Sequence, residues 1–317
     1  MGELCRLCGR DRPLLSSHIL PAFVFKWKRV SAGGSPLRNT KQPNLRVQDG
    51  LKKSFLCDEC EALFSRDEGE FANKIFYPYV ENPAAQLAYG PSLLRFCTSV
   101  SWRVLRLALE TENFEPWCDP EAVELCRQAE VTWRAFLLGE REHPSDFRQQ
   151  LLPFDIIESS SGGESPNINR YLTRTIQMDL CTNSTQTFTF AKLGPIAIFG
   201  TIRQRSTPWK GTRIQANQGT VGGRRQYVLP GALWPYLNAK ARESAAAMAG
   251  ISKKQREVID QNLRKNADAF VGSAAFRAMQ ADIEKFGNEA FDKFDETEAP
   301  GDGKEMPLER RRARTSA

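Results

Sequence analysis

Two Cys-x-x-Cys pairs, Cys5-Arg6-Leu7-Cys8 and Cys57-Asp58-Glu59-Cys60, stand 48 residues apart in a chain of 317. Between them, in Ser16-Ser17-His18-Ile19-Leu20-Pro21, lies one of only two histidines. Thiolates are the preferred soft ligands of Zn²⁺, and a two-residue gap lets both members of a pair turn onto one ion. Cys5, Cys8, Cys57 and Cys60 are therefore expected to hold a tetrahedral zinc. Four thiolates close the coordination sphere, so the zinc is structural, a clamp worth on the order of 10 kcal/mol in small domains. Cysteines 97, 118, 126 and 181 lack this spacing, and Cys97 and Cys126 fall on apolar helical faces where a thiol packs as a small hydrophobe. An imidazole can move protons near neutrality, and the bracketing pairs single out His18 rather than His143, which sits in a proline-flanked loop.

Charge is distributed unevenly. Met1 to Lys53 carries eleven Lys/Arg against three Asp/Glu, while Cys57 to Glu70 carries six acids against Arg66 alone. Between Cys181 and Arg242 there are nine basic residues and no acid, interleaved with Trp209, Tyr227 and Trp234 and with several glycines. Such a stretch suits a surface that holds phosphates and stacks bases. Lys26, Lys28, Arg203, Arg205, Lys210, Arg213, Arg224 and Arg225 are the candidate nucleic-acid contacts, and the plain alternative is a basic face for an acidic partner or for none. No phosphate-binding glycine loop, dinucleotide fingerprint or Ser/His/Asp order is present, which disfavours nucleotide hydrolases and redox enzymes.

With these residues in place, the first quarter of the chain resembles the HNH endonuclease family. Its zinc-bearing members carry a Cys-x-x-Cys pair, a His-Ile-x-Pro strand end, a central asparagine and a second Cys-x-x-Cys. The match here is Cys5-x-x-Cys8, Ser17-His18-Ile19-Leu20-Pro21, Asn44 and Cys57-x-x-Cys60-Glu61. It also resembles a bacterial group of HNH-like proteins with the same Ser-His-Ile-x-Pro and Cys-x-x-Cys-Glu signatures. The resemblance implies a treble-clef, or ββα-metal, unit with His18 as general base toward a water attacking a phosphodiester. It implies a catalytic Mg²⁺ or Mn²⁺ beside the structural Zn²⁺, DNA as substrate and a role in defence against foreign DNA. Ser17 and Glu61 depart from the family's usual ligands: a hydroxyl replaces a carboxylate or imidazole, and a carboxylate replaces the final histidine. Glu68, two helical turns beyond Glu61, is a further candidate ligand. Asn44 lies thirteen residues before Cys57, too far for a direct alignment, but a hairpin turning at Asp49-Gly50 would pair Gln48 with Leu51 and bring Asn44 opposite Phe55. The competing expectation is a non-catalytic zinc module that recognises nucleic acid or protein, and a third is a subunit that depends on a partner or on self-assembly.

The elements that must position these residues give an α+β class. Residues 1 to 82 form the zinc unit, with a helix after Cys57. Residues 83 to 250 form a mixed helix and antiparallel-strand region, with helices at 91 to 111 and 119 to 138, strands within 185 to 204, another over Arg224 to Pro230, and a helix near 231 to 248. Residues 251 to 295 hold C-terminal helices capped by Ser252 and Ser273, and 296 to 317 read as a basic, disordered tail. No stretch resembles a secretory leader or a bilayer span, so a cytoplasmic protein is expected.

Overall fold

The computed structural model describes residues 3–32, 37–40, 42–47, 49–111, 114, 118–158, 162–205, 209–223 and 225–291, with the backbone of 309–310. The chain starts in a tight knuckle, in which the Gly9 N–H donates to the Cys5 carbonyl at 2.8 Å and the Cys5 N–H to that of Arg10 at 3.0 Å. Gly9 takes a φ of +71°, which closes the turn without a Cβ penalty. Strand β1 (Leu15–His18), helix α1 (Ala22–Val30), and the short strands β2 (Leu37–Arg38) and β3 (Arg46–Val47) follow, then β4 (Lys52–Leu56) and helix α2 (Asp58–Phe71). β4 returns antiparallel to β1, with Leu15 opposite Leu56 and His18 opposite Lys52, and α2 begins at Cys57. Asp58, Glu59 and Glu61 in its first turn meet the positive end of the helix dipole. Knuckle, strand pair and helix occur in the zinc-stapled order.

One expectation fails here. β3 pairs with β2 and β4 with β1, so Asp49-Gly50 does not turn a hairpin between adjacent strands, and Asn44 is not opposite Phe55. Gln48 lies outside the described residues. The apolar Phe55 and Leu56 bury against the knuckle, and that burial selects β1 as partner over the Arg46–Val47 segment, which is exposed at Arg46 and only half-buried at Val47.

A π-helical turn, Ala72–Phe76, leads into α3 (Tyr77–Glu81) and β5 (Gln86–Tyr89). Then come α4 (Pro91–Leu109), α5 (Pro120–Leu137), β6 (Gln149–Pro153), α6 (Ile168–Arg174), β7 (Ile176–Thr182), β8 (Gln186–Leu193), β9 (Ile196–Gln204) and β10 (Gly219–Gly222). The last elements are α7 (Leu233–Ala249), α8 (Lys253–Lys265), α9 (Ala267–Val271), α10 (Ala274–Phe286) and β11 (Glu309–Arg310). Asp119, Ser252 and Ser273 cap α5, α8 and α10 through their side chains, as their types predict. The main sheet is antiparallel in the order β11-β7-β8-β9-β6, and β10 pairs with β5. β8 and β9 meet at Gly194, where φ is +66° and a Cβ would lie 2.5 Å from Trp27. The strand expected before α7 reduces to one bridge, Lys210 with Val228. Arg224 lies outside the described residues, as does 296–317 apart from the backbone of 309–310.

α4 is buried almost all round, because α2 and α5 flank it while β6 to β9 lie beneath. One apolar cluster runs from Cys5 and Leu7 through Phe71, Phe96 and Trp102 to Ile198 and Val221, and a second fills the opposite face of the sheet under α6 and α7. Phe71 stacks on Phe96 at 4.0 Å, so packing is continuous across the boundary expected at 82–83. Among the described residues no helix is long and apolar enough to cross a membrane.

Candidate metal centre and the histidine beside it

The knuckle supplies Cys5 and Cys8, and the start of α2 supplies Cys57 and Cys60. Their four Sγ atoms all lie within 4.8 Å of one another, and those of Cys8 and Cys57 are 3.8 Å apart. A tetrahedral Zn²⁺ with bonds of about 2.3 Å requires sulfur separations of about 3.8 Å, so the Cys8–Cys57 pair already has that spacing and the whole donor set is gathered closely enough to hold a structural metal ion. All four thiols are free of disulfide bonds. Burial opposes the Cys5 thiolate, but the backbone N–H groups of Cys8, Cys57 and Leu7 outweigh it and bring the thiol down to about 7. Burial pushes Cys57 and Cys60 up, and their sulfur neighbours push Cys60 further. A divalent cation is what allows four such thiols to ionise together.

His18 ends β1, its side chain 17% exposed. Nε2 lies 2.9 Å from Asp49 Oδ2 without the alignment of a hydrogen bond, and the Lys52 ammonium reaches the same oxygen at 2.8 Å. Burial would raise the Asp49 carboxyl, yet Lys52, the Gly50 N–H and the His18 imidazole draw it down to about 2. Nε2 is thus the ring nitrogen turned to Asp49. Behind the ring, Arg103 of α4 donates to the His18 carbonyl at 2.9 Å and to Glu68 at 2.6 Å, fastening the strand end to α2.

The other expected ligands are dispersed. Ser17, 1% exposed, turns inward and its hydroxyl meets the Leu15 carbonyl. Asn44 bonds the Gly250 carbonyl and the Ser252 N–H, tying the β2–β3 region to the start of α8. Glu68 is held by Arg103, and Asp67 is gripped in a fork by Arg95. Glu61 stands in the first turn of α2, and among the described residues no ion-pair partner reaches it. Beyond the four cysteines, no group of three His, Cys, Asp or Glu gathers among the described residues.

The basic candidates divide in the same way. Arg203 is 5% exposed and forks onto Asp119 at 2.7 and 2.9 Å, with Glu121 at 3.3 Å, so its charge is spent inside the fold. Arg205 also pairs with Glu121. The acids absent from 181–242 are thus supplied by α5. Lys28 is half-buried; burial and the adjacent Arg174 bring its ammonium down to about 8. Lys26, Lys210, Arg213 and Arg225 remain exposed.

Sequence pattern gives Asp49 as a turn residue and Lys52 as one more N-terminal basic residue that could extend a nucleic-acid track, and neither signal places them beside His18. The pairing of His18 opposite Lys52 is what brings them to the imidazole. No family model matches the sequence, and no curated protein or solved structure is similar to it.

Proposed function

We propose that the chain is an HNH-like endonuclease or nickase acting on DNA, with a structural zinc as scaffold and His18 as general base. The observation that carries this reading is the contact between His18 and Asp49, 2.9 Å, on a strand end held between the two cysteine pairs. Asp49 orients the ring and stabilises it as an imidazolium when a water proton moves to the ring. Lys52 places a positive charge beside the base, where the charge of a bound phosphate would develop. His18 as base and Asp49 as its orienting carboxylate are the chain's own contributions to each step. Mg²⁺ and Mn²⁺ enter as added ions in the test.

The test is supercoiled plasmid with Mg²⁺ or Mn²⁺, comparing wild type with His18→Ala and Asp49→Asn. Loss of the base should slow cleavage by roughly 10²-fold or more, and cleavage unchanged in His18→Ala would remove the assignment. A second reading, a non-catalytic zinc module that binds nucleic acid, is favoured by the commitment of Ser17, Asn44 and Glu68 to internal bonds. It predicts no cleavage with either ion but salt-sensitive DNA binding.

A further inference from the structure

Gly50 follows Asp49 on the way into β4, and its φ lies outside the left-handed region, so its backbone conformation does not call for glycine. A neighbour does. A Cβ at this position would fall on Cε2 and Cζ of the Phe25 ring, well inside van der Waals contact. Phe25 belongs to the first turn of α1, which begins four residues after His18, and its half-buried ring packs against the main apolar cluster. The same ring lies nearly parallel to the His18 imidazole, at 24° with centroids 6.4 Å apart. One aromatic side chain thus borders both halves of the His18–Asp49 contact, the imidazole itself and the backbone that carries the carboxylate.

That backbone also aims the carboxylate. Oδ1 of Asp49 accepts from the Gly50 N–H at 2.9 Å, while Oδ2 faces Nε2 of His18 at 2.9 Å and the Lys52 ammonium at 2.8 Å. The Ile19 N–H donates to the Leu51 carbonyl at 3.1 Å, so the residues after His18 and Asp49 are tied by the main chain as well. A methyl at residue 50 fits only if the ring or the backbone gives way; the first moves the imidazole's neighbour and the second moves the carboxylate. We propose that Phe25 and Gly50 are positioning residues, a ring and the glycine that admits it, which together set the imidazole and the Asp49 carboxylate against each other. Their effect on cleavage rests on the endonuclease reading, whereas their effect on the contact does not.

The experiment is a double-mutant cycle on the full-length protein with Gly50→Ala, Phe25→Leu and the two combined. Leucine keeps apolar bulk but lacks the two ring atoms that occupy the space beside Gly50. The readouts are the Asp49 carboxyl titration followed by carbon-13 NMR, plasmid cleavage resolved into kcat and KM, and urea midpoints to confirm that each variant folds. Gly50→Ala should raise the Asp49 carboxyl from about 2 toward its ordinary 3.8, and should lower kcat about tenfold or more with KM little changed. In the Phe25→Leu background the same methyl should add no further effect, because the atoms it collides with are gone. An Asp49 titration unmoved by Gly50→Ala overturns the proposal, as does an equal further shift when the methyl is added to Phe25→Leu. A fall in urea midpoint with the Asp49 titration unmoved assigns both residues to packing alone. Absence of cleavage in wild type and variants alike removes the endonuclease reading, and the carboxyl titration then decides the proposal by itself.

Discussion

Asp49 is the side chain that ties the His18 site together, because among the described residues it alone contacts both the imidazole and the Lys52 ammonium. Its carboxyl is drawn from 3.8 to about 2 in the folded protein. A group depressed in this way stabilises the fold above its unfolded value and loses that contribution as pH falls toward the folded value. Urea midpoints measured between about pH 5 and pH 2 should therefore decline more steeply in wild type than in Asp49→Asn. The difference should stay below about 1 kcal/mol, since Asp49 is partly exposed and water screens its partners. Ser17 gives a sharper test. Ser17→Asp, which sequence pattern alone would favour as restoring a metal ligand, places a carboxylate where the residue is 1% exposed. It should destabilise by roughly 2–5 kcal/mol in denaturant melts and confer no divalent-ion binding.

The secondary-structure elements are tied together through charges that the linear sequence keeps far apart. Asp119 caps α5, accepting from the Ala122 N–H at 2.9 Å, and the same carboxylate takes the buried Arg203 of β9. Arg203 in turn holds Asp119 below the usual carboxylate range. Asp119→Ala should cost about 1–3 kcal/mol, combining a lost cap with a guanidinium left short of a partner. Arg203→Gln should likewise destabilise, while DNA affinity per folded molecule stays unchanged. A parallel fall in affinity at constant stability would return Arg203 to the binding surface. Gly194→Ala should be costly for a different reason: the added methyl meets Trp27 at a backbone angle that L residues rarely adopt.

Cooperativity follows from the continuous core. α2 is fixed at one end by the cysteine cluster and along its length by Arg95 and Arg103 of α4, with Phe71 stacked on Phe96. The cysteine cluster and the main sheet are thus joined by one continuous apolar core, which predicts that metal removal is felt throughout it. Stripping metal with a strong chelator should lower the melting temperature of the entire described core in a single calorimetric transition. A separate early transition confined to residues 1–82 would show that the zinc unit unfolds alone. Elemental analysis should give one zinc per chain, lost in Cys57→Ser.

Short-range chemistry was legible in the order of residues. The Cys-x-x-Cys pairs announced a four-sulfur cluster that could hold a metal ion, because two-residue spacing is itself a ligand geometry. Asp119-Pro120, Ser252 and Ser273 announced helix starts because capping is satisfied within one turn. Apolar periodicity disclosed α4, α5 and the β8–β9 strands for the same local reason. Strand partnership was not legible: β4 could follow β3 through a tight turn or leave it for β1, and burial of Phe55 and Leu56 against a distant knuckle made the choice. From that pairing came the company of His18, with Asp49 and Lys52 in place of Asn44. The fate of the basic residues was equally non-local, since a charge count along 181–242 cannot see the acids of α5 that fold onto Arg203 and Arg205. What the sequence by itself determined was therefore the four cysteines that gather where a metal ion could sit, and the elements whose signals lie within a turn or two. Only the tertiary structure decided which charges face solvent and which carboxylate meets the imidazole, because both depend on residues brought together by burial.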